Sequence, residues 1–262
     1  MFRLLEKEFF EQIHFISTTL LALSFAIIFV LLWIPAPYGR YYDTKVLNLH
    51  FKPINGRLSW VLMEAPNLIV PLFLIAIPSS DIVMLPANFI LFGMFTCHYI
   101  HRTLIYPFLQ PVKPHTAITV LSAFAFCSIN AYIQGLSLFV VHKYPNSWIQ
   151  QPSFIAGVAV WLLGLYINIR GDHVLRNLRK PGEIGYKIPN GFWYDYVSCA
   201  NFLGEVIEWF GYALACWNIA ALSFAVFTAA NLIPRAIQHH KFYKEKFEDY
   251  PKTRKAIIPF IL

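Results

Sequence analysis

The chain has 262 residues, of which 57% are hydrophobic and only 13% are charged, and its mean hydropathy is +0.52. A soluble domain carries about 25% charged residues, so this composition excludes one and predicts an all-α integral membrane protein. The net charge of +7 does not indicate a nucleic-acid partner, because the basic residues cluster in the gaps between apolar runs. A bacterial inner membrane and an endoplasmic reticulum membrane both remain open.

Seven apolar runs are long enough to cross a bilayer, which needs about 20 residues per helix. We therefore predict a bundle of seven transmembrane helices that forms a single domain over residues 1–262. Lysine and arginine are abundant in alternate gaps and after the last run. By the positive-inside rule the N-terminus lies outside and the C-terminus is cytoplasmic. The predicted spans are 13–34, 58–77, 84–108, 115–141, 152–170, 196–214 and 216–235.

The second span contains one acidic residue, Glu64, two positions before Pro66. Proline removes a backbone hydrogen bond one turn earlier, and such an irregularity suits a helix beside a cavity. Glu64 either caps the broken helix or pairs with a buried arginine. The functional alternative is a protonated carboxyl group that donates a hydrogen bond in an apolar pocket.

The third span ends in a polar stretch that includes Tyr99, Arg102 and Tyr106. Their spacing of i, i+3 and i+7 places them on one face of an α-helix. Taken singly, neither residue needs a function. Arg102 can extend its charged group to the membrane–water interface, and Tyr106 can belong to the aromatic belt at that interface. Alternatively, a tyrosine hydroxyl and Glu64 together bind one carbonyl oxygen as an electrophilic site.

Two later spans carry polar residues at helical spacing. Asn168 and Asp172 are four residues apart, and Asn201, Glu205 and Glu208 follow an i, i+4, i+7 pattern. A carboxylate in hydrocarbon costs several kcal/mol unless it faces a partner or a wet cavity. These residues form either a network that only holds helices together or a binding site for a polar ligand.

The loop after the fifth span favours a nucleotide as that ligand, because Arg176 and Arg179 can hold phosphates while the carboxylates hold sugar or amide groups. The basic loop alone is also explained by contact with anionic lipid. The chain has no G-x-G-x-x-G and no P-loop, so a dinucleotide needs a site of another kind. The histidine and cysteine spacings do not match metal-ligand patterns, and we expect no metal site.

Several motifs in the same order resemble the steroid 5α-reductase family. The third span contributes His98-Tyr-Ile-His-Arg102-Thr, and the similarity runs from about residue 58 to the end. The other motifs are Asn168-Ile-Arg-Gly-Asp172, Leu175-Arg-Asn-Leu-Arg179-Lys-Pro-Gly-Glu-Ile-Gly-Tyr-Lys-Ile-Pro-Asn-Gly, Ala200-Asn201-Phe-Leu-Gly-Glu205-Val-Ile-Glu208-Trp209, and the stretch from His239 through Tyr243 to Phe260.

This resemblance implies a seven-helix reductase that transfers hydride from NADPH to C5 of a 3-oxo-Δ4-steroid. It assigns polarisation of the 3-ketone to Glu64 and Tyr99, and places Trp60 and Met63 beside the substrate. The cofactor-binding part lies mainly in 160–262. The cofactor residues that it implies are Tyr38, Arg40, Arg102, Tyr106, Asn168, Asp172, Arg179, Asn201, Glu205, His239 and Tyr243.

The resemblance also implies partners: a steroid that enters from the lipid, NADPH from the cytosol, and the surrounding membrane lipids. We expect a monomer. The chain departs from the family at Met63, where glutamine is usual, and methionine cannot replace its hydrogen bonds. A basic pair after the third span is reduced to Lys113.

Three other functions are compatible with some of these sequence motifs. A related enone reductase would act on a polyprenal or an enoyl thioester with the same architecture. An isoprenylcysteine-type methyltransferase using S-adenosylmethionine resembles the C-terminal half more faintly, and does not need the pair of Glu64 and Tyr99. A sterol-binding membrane protein without activity is the third alternative.

Overall fold

A computed structural model of the protein describes residues 2–34, 53–76, 85–180 and 182–262. Within these ranges the regular elements are helices, with two isolated β-bridges, and the all-α prediction is confirmed. The α-helices are α1 (Phe2–Trp33), α2 (Gly56–Glu64), α3 (Pro66–Ala76), α4 (Pro86–Ile100), α5 (Tyr106–Leu109), α6 (Ala117–Leu136), α7 (Pro152–Arg176), α8 (Ala200–Cys216) and α9 (Ile219–Lys246).

Two helices continue into π-helical turns, at His101–Ile105 after α4 and at Ser137–Val141 after α6. Single 3₁₀ segments precede α7 and α8, at Asn146–Gln150 and Phe192–Asp195. A π-turn inserts one extra residue into the helix. Side chains after it therefore do not follow the α-helical periodicity of those before it.

Five helical segments of the described chain are long and apolar enough to cross a membrane. Helices α4 and α8, which correspond to the third and sixth predicted spans, have 15 and 17 residues. The count of seven spans, the orientation of the termini and the single domain stay predictions. The five segments are Glu6–Trp33, Gly56–Ala76, Ala117–Val141, Pro152–Arg176 and Ile219–Lys246.

The predicted interruption of the second span lies between α2 and α3. The Ala65 amide donates to the Val61 carbonyl (2.9 Å), and Pro66, which lacks an amide proton, begins the next helix. Asn55 caps the start of α2 by accepting hydrogen bonds from the amides of Arg57 and Leu58. The sequence therefore defines both ends of α2.

The last two helices meet at a tight turn, as the nearly contiguous apolar runs predicted. Trp217 adopts a left-handed conformation with φ of 51° directly after α8. The Asn218 side chain then caps α9 by accepting from the Ala221 amide (2.9 Å). Helix α9 continues to Lys246, beyond the predicted end at 235, so Lys241, Lys244 and Lys246 lie within a helix although they follow the last apolar run.

The chain divides into two compact units, and the first consists of Met1–Thr19 and Ala36–Pro152. In this unit α6 packs against both α2 and α3. Buried carboxamides form a chain of hydrogen bonds between α3 and α6, from Gln134 to Asn130 (3.3 Å) and from Asn130 to Asn67 (3.4 Å). Hydrogen bonds between buried polar side chains can hold helices together in lipid.

The second unit consists of Leu20–Pro35 and Ser153–Leu262, and glycines set the distance between two of its helices. A Cβ atom at Gly164 of α7 would lie 2.2 Å from the Glu208 nitrogen of α8. One at Gly204 of α8 would lie 2.3 Å from the Asn168 nitrogen of α7. The two backbones therefore touch directly, as small residues permit in membrane helix pairs.

The C-terminal residues of the second unit pack beside the segment that precedes α8. Lys255 donates its amide proton to the Tyr196 carbonyl (2.9 Å), and the Ser198 amide donates to the Lys255 carbonyl (2.8 Å). Arg254 is buried and donates to the Pro189 carbonyl (2.9 Å). Two of the motif stretches found in the sequence are thereby joined in space.

Candidate active site

In the first unit an arginine lies beside a pair of aromatic rings, Trp60 and Tyr106, whose centres are 5.0 Å apart. The Arg102 guanidinium carbon is 4.8 Å from the centre of the Trp60 ring and 4.4 Å from that of Tyr106. The Trp60 indole nitrogen donates to the Arg102 carbonyl (3.0 Å). Cation–π attraction and this hydrogen bond fix the three side chains relative to one another. The structure therefore brings together three of the predicted site residues.

The same cluster is joined to the loop before α6. The Ser59 hydroxyl and His115 Nδ1 are 2.8 Å apart and both residues are buried. His115 also pairs with Ile54 through a β-bridge, and its ring centre is 6.3 Å from that of Trp60. These contacts tie the start of α2 to the segment that leads into α6.

The π-helical turn modifies the predicted face of the third span. Arg102 belongs to that turn, while Tyr106 begins the short α5 directly after it. Their side chains contact each other across four residues, as predicted. Tyr99 precedes the turn, so its position on a shared face with Arg102 and Tyr106 stays a prediction.

The two candidate catalytic residues lie on different helices of the first unit. Glu64 is the last residue of α2, half-buried, with the Cys127 thiol of α6 at 4.0 Å from its Oε2 atom. Tyr99 on α4 is buried and packs edge-on to His98 and against Phe95. Met63, the neighbour of Glu64, is 6% exposed, so a glutamine there would have to satisfy its amide in the interior.

In the second unit Asn168 and Asp172 lie against Asn201 and Glu205, two of the three polar residues predicted on one face of the sixth span. Asn168 donates from Nδ2 to the Asn201 carbonyl (3.0 Å) and to Glu205 Oε2 (3.4 Å). The Asn201 Nδ2 in turn donates to Asp172 Oδ1 (2.9 Å). The glycine contacts between α7 and α8 produce this arrangement, because Gly171 faces Asn201 and Gly204 faces Asn168.

The carboxylates of this carboxamide–carboxylate network are hydrogen-bond acceptors. Asn168 and Asp172 are 2% and 3% exposed, so their polar atoms lie in the interior of the unit. A carboxylate can accept about four hydrogen bonds. One bond from a protein amide is therefore compatible with others from hydroxyl or amide groups of a ligand.

A tyrosine that the sequence reasoning did not select completes the network. Tyr194 is fully buried, and its hydroxyl lies 3.3 Å from both Asn201 Oδ1 and the Gly171 carbonyl oxygen. Burial, and then the charge of Asp172, raise the pKa of the Tyr194 phenol well above its usual value. The residue lies in a 3₁₀ segment outside the helices, where no periodicity indicates its direction.

The loop after α7 carries Arg179, which the structure leaves exposed. Its guanidinium donates to the Gly185 carbonyl (3.2 Å), and it has no hydrogen bond to Asn168 or Asp172 within the described chain. Glu183 accepts from the Lys180 amide (2.7 Å) and forms an ion pair with Lys187. The Lys187 hydrogen bond lowers the pKa of the Glu183 carboxyl. These contacts shape the loop that holds Arg179.

The remaining predicted residues of the second unit lie on α9. The His239 ring packs against Phe202 of α8 with 5.8 Å between ring centres. Arg235, not selected as a site residue, lies over the same phenylalanine at 5.5 Å. Tyr243 is buried and stacks in parallel on Tyr250 at 5.5 Å. Helix α9 therefore places His239 and Arg235 against Phe202, the residue that follows Asn201.

Tyr38 and Arg40 lie outside the described residues, and their roles stay predictions. Within the described chain no three histidine, cysteine or acidic side chains converge to hold a metal ion.

Taken together, apolar helices with buried polar clusters are typical of a multi-pass membrane protein, and comparison with known proteins defines the family. Residues 113–262 match the model of the family described as 3-oxo-5-alpha-steroid 4-dehydrogenase. The chain belongs to this family of membrane oxidoreductases.

The relatives cover nearly the whole chain. The 3-oxo-5-alpha-steroid 4-dehydrogenase 2 of Homo sapiens is 44% identical over 94% of this chain and 94% of that protein. The type 1 protein of Bos taurus is 48% identical over 87% of this chain and 88% of its own length. The type 1 protein of Rattus norvegicus is 45% identical over 87% of this chain and 86% of its own length. The resemblance inferred from the sequence motifs is therefore confirmed.

Proposed function

We propose that the protein reduces the Δ4 double bond of 3-oxo-steroids with NADPH and delivers hydride to C5 on the α face. The observation that supports this most strongly is the identity of 44% to a 3-oxo-5-alpha-steroid 4-dehydrogenase over 94% of both chains. Function is carried by the site rather than by the fold alone. The proposal therefore depends on what the individual side chains can do.

Glu64 and Tyr99 are the residues that we assign to the steroid ketone. When hydride reaches the β-carbon of a conjugated enone, negative charge develops on the ketone oxygen. A carboxylic acid and a phenol in a water-poor site stabilise that charge by donating hydrogen bonds. The buried position of Tyr99 and the half-buried position of Glu64 agree with a water-poor environment. Trp60 and Met63 then lie beside the substrate.

The second unit contains a donor and acceptor set that fits NADPH, which supplies the hydride when bound. Asp172 and Glu205 can accept hydrogen bonds from ribose hydroxyls or from the nicotinamide carboxamide, with Asn168 and Asn201 beside them. Arg179, on an exposed loop, can reach phosphate oxygens, and arginine matches phosphate geometry. The other residues that we assign to the cofactor are Tyr38, Arg40, Arg102, Tyr106, His239 and Tyr243.

The membrane arrangement that we propose has seven spans, an external N-terminus and a cytoplasmic C-terminus. The steroid enters from the lipid because it is apolar, and NADPH enters from the cytosol, on the side of the basic loop after α7. The protein acts as a monomer in this proposal.

Product analysis tests the reaction. Detergent-purified protein is incubated with NADPH and either progesterone or testosterone, and the steroids are identified by mass spectrometry and by comparison with 5α and 5β standards. We expect a 5α-reduced 3-oxo-steroid that contains two additional hydrogens, and none when NADPH is omitted. Reduction of a polyprenal or an enoyl thioester without steroid turnover would contradict the steroid assignment and favour the related enone reductase.

A further inference from the structure

Tyr194 has no role in the sequence prediction, yet it contacts the centre of the network in the second unit. Its hydroxyl lies 3.3 Å from Asn201 Oδ1, and the same Asn201 side chain donates to Asp172 Oδ1 at 2.9 Å. One amide group is therefore held at both of its ends. Tyr194 is 0% exposed, so bulk water does not reach its hydroxyl.

The two contacts agree on which way the Asn201 amide points. The carboxylate of Asp172 only accepts hydrogen bonds, so the amide nitrogen must face it. The amide oxygen then faces Tyr194, whose phenol must donate its single proton, which it shares between this oxygen and the Gly171 carbonyl at the same distance of 3.3 Å. Burial keeps the phenol protonated, because it raises the pKa of Tyr194 well above its usual value. Donor and acceptor roles are thus consistent along the whole line from Tyr194 to Asp172.

The position of the ring is fixed independently of the hydroxyl. Tyr194 belongs to a buried apolar cluster that includes Val197, Ala200, Leu203 and Ile257. Because the cluster fixes the ring, the hydroxyl is directed at Asn201 and at the Gly171 carbonyl. A phenylalanine would fill the same space, so the hydroxyl is not required for packing.

We propose that Tyr194 is a positioning residue for the cofactor site, whose hydroxyl fixes the side-chain amide of Asn201 against Asp172. This inference rests on the proposed function, in which Asn201 and Asp172 contact NADPH. Tyr194 acts on the cofactor only through Asn201. Removal of its hydroxyl therefore leaves both cofactor-contacting side chains present but permits the Asn201 amide to rotate.

The test is NADPH binding to purified full-length protein, measured by quenching of tryptophan fluorescence without steroid. Tyr194→Phe should raise the dissociation constant about two- to tenfold, the effect of losing one neutral hydrogen bond. Turnover at saturating NADPH should stay within about twofold, because contacts to the ketone are unchanged. Tyr196→Phe is the matched control: this phenol is 50% exposed and should bind NADPH as the wild type does.

Two further variants separate positioning from folding. In an Asn201→Ala background Tyr194→Phe should add nothing to the loss of affinity, because the residues act as a unit. Replacement of Tyr194 by 4-aminophenylalanine, which keeps a donor at the same place, should restore binding. Additive effects of the two substitutions, or no rescue, would contradict the inference. So would a Tyr194→Phe protein that fails to fold.

The outcomes also separate this inference from the proposed function. If Asn201→Ala leaves NADPH affinity unchanged, Asn201 is not a cofactor residue and that part of the proposed function fails. If Asn201→Ala weakens binding while Tyr194→Phe does not, the proposed function stands and the inference about Tyr194 is wrong.

Discussion

At the scale of single residues, the chemistry that we propose depends on two side chains of the first unit. Glu64 ends α2 directly before the helix break at Pro66. Tyr99, on α4, lies two residues before the π-helical segment. Both therefore occupy positions where the helix is about to become irregular, and such positions in membrane proteins often line a cavity.

We predict that Glu64→Gln and Tyr99→Phe each lose most of the turnover while they bind NADPH normally. Loss of one donor to a developing oxyanion costs about 2–4 kcal/mol of barrier, which is roughly 30- to 900-fold in rate. Steady-state kinetics with a 3-oxo-Δ4-steroid and a separate NADPH titration measure the two effects. Turnover close to the wild-type rate in either variant would remove that residue from the ketone site.

A second prediction at this scale concerns Met63, where the chain departs from its family. In the proposed mechanism Glu64 and Tyr99 supply both donors to the ketone, so a glutamine at 63 would affect only positioning. Met63→Gln should therefore give the same product, with a rate changed by no more than about tenfold, or ~1.4 kcal/mol.

The control for this substitution is Met63→Leu, which keeps a buried apolar side chain and should change the rate still less. A wild-type protein that is inactive on every 3-oxo-Δ4-steroid, together with an active Met63→Gln variant, would show that the natural substrate is different.

At the scale of helices, the pair α7 and α8 determines the polar network. Gly157, Gly164 and Gly171 recur every seven residues on α7, and Gly204 and Gly211 have the same spacing on α8. These glycines remove the side chains that would separate the helices. Asn168 and Asp172 thereby come within hydrogen-bond distance of Asn201 and its neighbour Glu205.

We predict that Gly164→Ala and Gly204→Ala separate this helix pair. Each new Cβ would lie within 2.3 Å of a backbone nitrogen, so the backbones must shift, and overpacking of this kind costs about 1–3 kcal/mol. The melting temperature and NADPH affinity should both fall. The matched control is Gly93→Ala on α4, because a Cβ there meets nothing within 4 Å; equal loss in all three variants would contradict the role of close packing.

Much of this arrangement follows from the sequence, because apolar length and helical spacing are local properties. The apolar runs of the sequence predicted α1, α6, α7 and the turn after α8. The i, i+4 spacing predicted that Asn168 and Asp172 lie on the same face of their helix. Three features were not predictable in this way. The π-helical turn at His101–Ile105 depends on packing, and Tyr194 lies in an irregular segment without periodicity. The third is α9, which continues past Arg235 because its amphipathic end remains helical beyond the apolar run.

At the scale of the whole molecule, the distribution of basic residues predicts an odd number of spans. The termini should then lie on opposite sides of the membrane, with the C-terminus cytoplasmic. Epitope tags at the two ends, probed with an impermeant reagent in sealed vesicles of known sidedness, measure this directly. Detection of both tags on the same side would require an even number of spans and would overturn the proposed topology.

The central claim is that hydride moves from NADPH to C5 of the steroid, and isotope transfer tests it most directly. The purified protein is supplied with progesterone and with NADPH that carries deuterium at both C4 positions of its nicotinamide. We expect the reduced steroid to contain one deuterium, located at C5 on the α face, and Glu64→Gln to form this product much more slowly. Deuterium at C3, or a reduced steroid without deuterium, would contradict the proposed reaction.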